Sequence, residues 1–313
     1  MSGKPTDRAL TSRPSQLPAG RDELSAPSDA LLSPHAAAAR ARLTTILGQP
    51  GPLPLLEATL LVAAEEHPGM DVLTQIGRVM TIGGEAKERI AEQSNPFARL
   101  EALRSLLFEE IGLKGNVDQY DDPRNSYLDD VLDRKLGIPL SLSILTIEVA
   151  RHAGLAAEGI GLPGHFIVRV EEQGRRLFID PFHGGHVITI EDCKDLVVRT
   201  TGRASLFRKD ALDVASPRAM LSRLLMNLKR IHLAQGDYNS ALGIVERLLI
   251  VAPGDAKEIR DRGLLLAHLG RPDAAVADLE TYLALAPQAP DADSVRGRLA
   301  WIVRKMGPIR SET

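Results

Sequence analysis

The sequence predicts an α+β core carried between an N-terminal helical subdomain and a C-terminal α-solenoid, and three observations carry that prediction. Residues 140–152 read as a helix that is hydrophobic almost all round, which belongs inside a domain. Two short apolar runs, 165–170 and 177–180, flank a charged segment 171–175 containing Gly174, the pattern of a β-hairpin. From Ser222 onward the chain repeats itself with a spacing of 34 residues.

The elements follow in order. Residues 1–36, rich in Pro, Ser, Gly and Ala without hydrophobic periodicity, read as a disordered tail. Residues 36–47, 53–66, 72–80 and 85–93 read as helices, and His67-Pro68-Gly69 stops the second. Asn95-Pro96 opens another, in which Leu100, Leu103, Leu106, Leu107 and Ile111 recur at helical spacing until Gly112. These make an N-terminal helical subdomain, 37–112.

The core is expected over 113–212. Residues 114–125 are loop, and Asn125 or Ser126 is expected to cap a helix running to Leu136, with Asp129 and Arg134 anchoring the loop. The polar side chains of that loop are expected to satisfy buried backbone groups. Pro139 then suits the first position of the apolar helix, where its missing N–H costs nothing, and Gly154 supplies a left-handed stop. A hairpin turn centred between Glu172 and Gln173 places His165 directly opposite Asp180, within hydrogen-bonding reach. A third strand over 187–190, a helix over 192–199 and a linker over 201–213 complete the core.

In the region 213–313, Gly236-Asp237 recurs as Gly270-Arg271, and Ala252-Pro253 as Ala286-Pro287, each 34 residues later. That period, with Ala early in the second helix and Pro at its close, is the tetratricopeptide pattern. Two repeats, 222–255 and 256–289, are followed by a capping helix over 293–305, in which Trp301 reads as a packing residue.

Composition narrows the function. The chain has 313 residues, 44% hydrophobic and 25% charged, ordinary for a globular protein of about two or three domains. A net charge of −3, with the basic stretch 199–209 running straight into Asp210, argues against a nucleic-acid partner. The single cysteine, Cys193, excludes an intrachain disulfide and a multi-cysteine zinc site, and reads as a buried, inert thiol in a reducing compartment. The start lacks the apolar stretch of a secretory signal, and no run is long enough to span a bilayer, so the expectation is a cytoplasmic protein with no membrane partner.

A buried helix whose N-terminus faces a His–Asp pair is the skeleton of a cysteine-nucleophile acyl-transfer site. In such sites the helix dipole and the imidazolium hold the thiolate. Here the head of the helix offers only Ser141 and Ser143. A hydroxyl triad of Ser141 or Ser143 with His165 and Asp180 has the right residue types. His165, Asp180, His183 and His186 are also candidate metal ligands beside the pliable Gly184-Gly185, although the simpler reading has no metal and no cofactor.

Gly115-Asn116, Tyr120, Pro123, Asn125-Ser126, Gly137-Ile138-Pro139, Pro163-Gly164-His165-Phe166 and Ile179-Asp180-Pro181-Phe182 together resemble the transglutaminase-like (papain-like) core of the bacterial SirB-type proteins. The resemblance continues into the tetratricopeptide tail and covers the chain from about residue 50. In the wider superfamily the working residues are Cys, His and Asp. It carries His165 and Asp180 onto the second and third positions, while the first falls within 139–143, where no cysteine stands. The resemblance therefore implies a catalytic fold that has lost its nucleophile. The expected role is a non-catalytic, protein-binding or regulatory scaffold that holds a protein or peptide partner on its repeats. The alternative is an amide hydrolase or acyl transferase with a serine nucleophile, His165 as base and Asp180 as orienter.

Overall fold

The computed structural model describes residues 32–208 and 210–306. Most of the expected disordered tail, residues 1–31, lies outside the described residues. The first helix starts at Pro34, two residues ahead of the expectation, because Ser33 caps it by accepting from the Ala36 N–H.

Four N-terminal helices follow one another: α1 (Pro34–Gly48), α2 (Leu55–Glu66), α3 (Val72–Ala91) and α4 (Pro96–Arg104), the last running on into a π-helical turn, Ser105–Glu110. Asp71 and Asn95 cap α3 and α4 through their side chains. The sequence suggested two helices where α3 is continuous, and Gly83 explains the difference. A Cβ there would lie 2.7 Å from the Cβ of His152, so the glycine permits a close helix crossing instead of ending a helix.

The loop region contains a two-residue parallel ladder, β1 (Lys114–Gly115) with β2 (Leu136–Gly137). Between its strands stand a 3-10 turn, Pro123–Asn125, and the short helix α5 (Leu128–Arg134). Asn125 and Ser126 do not cap α5, which starts after Tyr127 without a side-chain cap and ends at Lys135 in the left-handed region, φ 62°. Asn125 instead ties the loop to itself: its Nδ2 donates to the Gln119 carbonyl at 2.6 Å, and its Oδ1 accepts from Asn116 at 3.0 Å. Arg134 anchors the loop as expected, donating to Asp122 at 3.2 Å. Asp129 turns away to His67, 2.6 Å from its Nδ1.

The buried helix is α6 (Pro139–His152), with Pro139 in its first turn and Gly154 at φ 87° after its end. A four-stranded antiparallel sheet packs on it in the order β3 (Ala156–Ile160), β4 (Ile167–Glu172), β5 (Arg175–Asp180), β6 (His186–Ile188). Side chains alternate across this sheet: Val168, Val170, Leu177 and Ile179 join the core around α6, whereas Ile160, Ile167 and Phe178 face α7 (Ile190–Thr201). Strand β3 went unnoticed in the sequence because Ala156, Ala157 and Gly159 lack strand character. Its glycine makes room for a neighbour, since a Cβ on Gly159 would meet the Phe166 ring at 2.7 Å.

Helices α8 (Pro217–Gln235), α9 (Tyr238–Val251), α10 (Ala256–His268), α11 (Pro272–Leu285) and α12 (Ala292–Met306) form the repeat region. Leu221, Leu224, Leu225 and Leu228 of α8 and Ile244 and Leu248 of α9 belong to the same hydrophobic core as α2 and α6, while α10 to α12 pack around a second core. The fully buried Arg247 of α9 reinforces that junction, donating to the Val62 carbonyl at 3.0 Å and pairing with Glu66, both on α2. Trp301 departs from its expected packing role: it is 40% exposed, with the Arg298 guanidinium 4.7 Å from its ring centre.

Candidate functional site

The head of α6 is shaped by three consecutive residues. Ile138 is extended (φ −94°, ψ 167°), Pro139 starts the helix, and no side chain caps the first turn. Ser141 is buried and fully engaged, accepting from the Ile138 N–H at 3.1 Å and donating to the Asn125 carbonyl at 2.6 Å. Its hydroxyl thus secures the loop to the helix. Ser143 is buried too, and its Oγ has no hydrogen-bond partner among the described residues. Neither serine is bonded to His165.

His165 follows the turn at Pro163-Gly164, where Gly164 sits at φ 75° with Thr200 packed against it. It precedes β4 instead of lying within it. The β4–β5 turn is a two-residue one at Gln173 and Gly174, φ 49° and 75°, so Val168 pairs with Ile179 and the strand partner of Asp180 is His186. The expected direct pairing of His165 with Asp180 is therefore displaced to a diagonal one. The side chains still meet, because a diagonal neighbour at a sheet end stays within reach of an imidazole. The His165 Nε2 lies 3.0 Å from each Asp180 oxygen.

Asp180 collects further donors. The Nδ1 of His183, on the 3-10 turn Pro181–His183, is 2.7 Å from one oxygen, and the Phe182 N–H donates to the other at 3.1 Å. The two imidazoles stack with centres 5.6 Å apart. Burial pushes the Asp180 carboxyl up, but hydrogen bonds and charge from His165 and then His183 outweigh it and hold the group below the ordinary carboxylate range.

Ligand atoms of His165, Asp180 and His183 lie within 4.8 Å of one another, a set able to hold a metal ion; His186, also considered from the sequence, is not part of it. A second such set is His67, Asp129 and Asp130. Cys193 is buried on α7 among Leu196 and Val197, away from the head of α6. Burial pushes its thiol up to about 11.

Between the head of α6, the His165 ring and α8 lies a cavity of about 350 Å³, lined by Tyr120, Pro139, Leu140, His165, Arg223 and Asn227 among others. Sequence reasoning misses the α8 wall, because it places α8 in the repeats alone. The signal was present: Arg223, Asn227 and Arg230 stand at i, i+4 and i+7, a polar stripe on one helix face.

A buried helix, an antiparallel sheet and a His–Asp contact at its end define a transglutaminase-like protein, and the comparisons agree. The chain matches the transglutaminase-like superfamily over residues 75–226 and the tetratricopeptide repeat over residues 228–300. It is 34% identical over 250 residues to a UPF0162 protein of Xylella fastidiosa, covering 79% of this chain and 89% of that one. It is 28% identical to a UPF0162 protein of Vibrio cholerae, covering 68% and 78%, and 29% identical to protein SirB1 of Salmonella typhimurium, covering 77% and 88%. The chain belongs to this UPF0162 family of transglutaminase-like proteins with tetratricopeptide repeats. No solved structure matches it. Among the described residues no helix is long and apolar enough to cross a membrane.

Proposed function

We propose that this chain is a non-catalytic member of the transglutaminase-like fold, a scaffold that holds a protein partner on its tetratricopeptide helices. The observation that carries the reading is the state of the helix head. The stretch 139–143, where the resemblance puts the nucleophile, holds no cysteine, and its first hydroxyl, Ser141, is buried with its oxygen committed to Asn125 and Ile138. A hydroxyl that already donates to a backbone carbonyl and has no contact with the imidazole lacks the base that acyl transfer requires. The His165–Asp180 contact then fixes the end of the sheet. The repeats supply what the core lacks, since stacked helix pairs present an extended surface for a partner.

Two measurements test this on the intact chain. Fluorophosphonate and other acyl-directed probes should leave it unlabelled; labelling of Ser141 or Ser143 that disappears in His165→Ala would establish the serine-enzyme alternative instead. A photo-crosslinking residue at the exposed Met226 or Leu233 of α8 should capture a discrete partner, and capture should drop severalfold when the other position is changed to Glu. Equal capture from an exposed position off the repeats, such as Val187, would remove the scaffold reading.

A further inference from the structure

We propose that the cavity at the head of α6 is a receptor for a carboxylate, that of a peptide C-terminus. This rests on the non-catalytic reading, which leaves the cavity free to hold a ligand without transforming it.

Arg223 is the first reason. Its Nη2 donates to the carbonyls of Leu162 at 3.1 Å and His165 at 2.9 Å, and its guanidinium carbon lies 5.4 Å from the centre of the Phe166 ring. These contacts orient the cation without neutralising it. Among the described residues no carboxylate pairs with Arg223, and its Nε and Nη1 have no hydrogen-bond partner. Burial presses its pKa down, the response of a cation that lacks a counter-ion. A planar guanidinium with free N–H groups matches a carboxylate in two-point geometry.

The second reason is the opposite wall. Helix α6 has no side-chain cap, so the Leu140 and Ser141 N–H groups at its head have no intrahelical acceptor, and the dipole there favours an anion. His165 supplies the third. It is only 3% exposed, it lines the cavity, and with Nε2 given to Asp180 its Nδ1 has no partner among the described residues. In the neutral ring with its proton on Nε2 toward Asp180, Nδ1 is an acceptor, which suits a ligand carrying an N–H next to its carboxylate, the end of a peptide chain and not a simple fatty or keto acid. Arg230, at the rim, is already paired with Asp121 at 2.6 Å, so among the described residues the cavity offers one uncompensated cation, suited to a monoanion better than to a phosphate dianion. Its size, about 350 Å³, is at the small end of ligand sites and fits a chain terminus. Because Arg223 and Asn227 belong to α8, a chain lying on the repeats can end here.

The test uses the full-length ¹⁵N-labelled chain and follows the Arg223 Nε–H and Leu140 amide signals. The titrants are N-acetyl-alanine, N-acetyl-leucine and N-acetyl-phenylalanine, their C-terminal amides, acetate, and inorganic phosphate. At least one N-acetyl amino acid should give saturable shifts, binding about tenfold or more tighter than its amide and than acetate, and Arg223→Gln should abolish them. Absence of saturable shifts, amides that bind as well as acids, or phosphate binding tighter than every carboxylate each overturns the assignment. The wild-type acid-to-amide comparison decides even if Arg223→Gln fails to fold. The two readings fail separately: hydrolysis of the corresponding methyl esters would sink the non-catalytic reading while the shifts still support the receptor. Missing shifts with no ester turnover would sink the receptor alone.

Discussion

His165 and Asp180 meet with the ring Nε2 3.0 Å from both carboxylate oxygens, and the same carboxylate also takes His183 at 2.7 Å. The carboxylate is buried and serves several donors, so it must stay charged to satisfy them. With its folded pKa depressed, its stabilising contribution is present above the unfolded value, near 3.9, and is lost as pH falls through the folded value. Asp180→Asn should therefore cost about 2–4 kcal/mol at pH 7 by urea denaturation. The gap to wild type should shrink steadily below about pH 4. A gap that stays constant down to pH 2 would mean that the carboxylate charge is not what the imidazoles hold.

His67 works in the opposite direction. Its Nδ1 is 2.6 Å from Asp129 and its Nε2 3.5 Å from Asp130, joining the end of α2 to α5. The hydrogen bond to Asp129 raises its pKa, burial opposes this, and the charges of Asp129 and Asp130 add to the rise. A raised folded pKa gives stability that is complete below the unfolded value, about 6.5, and is lost as pH climbs through the folded one. His67→Gln should therefore be most destabilising near pH 5.5 and approach wild type by about pH 9. NMR titration of the ring should give a pKa above 6.5; a midpoint at or below that value would refute the account.

Residues with a single local task were legible in the sequence. Pro139 and Gly154 mark the ends of α6 through their own backbone restrictions, and the His165–Asp180 contact survived a wrong register because a diagonal pair reaches nearly as far as a direct one. What escaped depends on partners distant in the chain. Gly83 reads as a helix end until His152 is brought against it, and Ala156 to Gly159 read as coil until Phe166 needs the space beside them. Ser141 resembles a nucleophile in sequence, and only the folded loop shows its hydroxyl on the Asn125 carbonyl. Arg223 belongs to a polar stripe with Asn227 and Arg230 that the sequence shows, but only α8 lying across the cavity gives that stripe a role.

The repeat helices are tied to the N-terminal ones through Arg247. It is fully buried, bonded to the Val62 carbonyl and paired with Glu66. Truncating it leaves the Val62 carbonyl unpaired and a void where the buried side chain stood, so Arg247→Ala should cost about 2–4 kcal/mol, measured by chemical denaturation. Because α9 and α2 share a core, the loss should appear in one transition monitored both at Tyr127 and at Trp301. A second, earlier transition seen only at Trp301 would show that the repeats unfold independently and that Arg247 does not couple them.

The head of α6 can be interrogated by returning a thiol to it. Pro139→Cys puts a sulfur in the first turn of an uncapped helix, at the wall of a cavity that also holds His165 and Arg223. The helix dipole and the nearby cation favour thiolate, so the introduced group should titrate below the ordinary value of about 8.5. Cys193 serves as an internal control, since burial pushes its thiol up to about 11 and leaves it almost wholly protonated at neutral pH. Iodoacetamide at pH 7 should therefore alkylate the introduced thiol about a hundredfold or more faster than Cys193, with a rate-pH midpoint under 8.5. Arg223→Gln in the same background should raise that midpoint, because the cation facing the sulfur is gone. A midpoint at or above 8.5 that Arg223→Gln leaves unmoved would mean that the field at the helix head is not electropositive. Both the carboxylate receptor and the descent of this cavity from a thiolate site would then lose their physical basis.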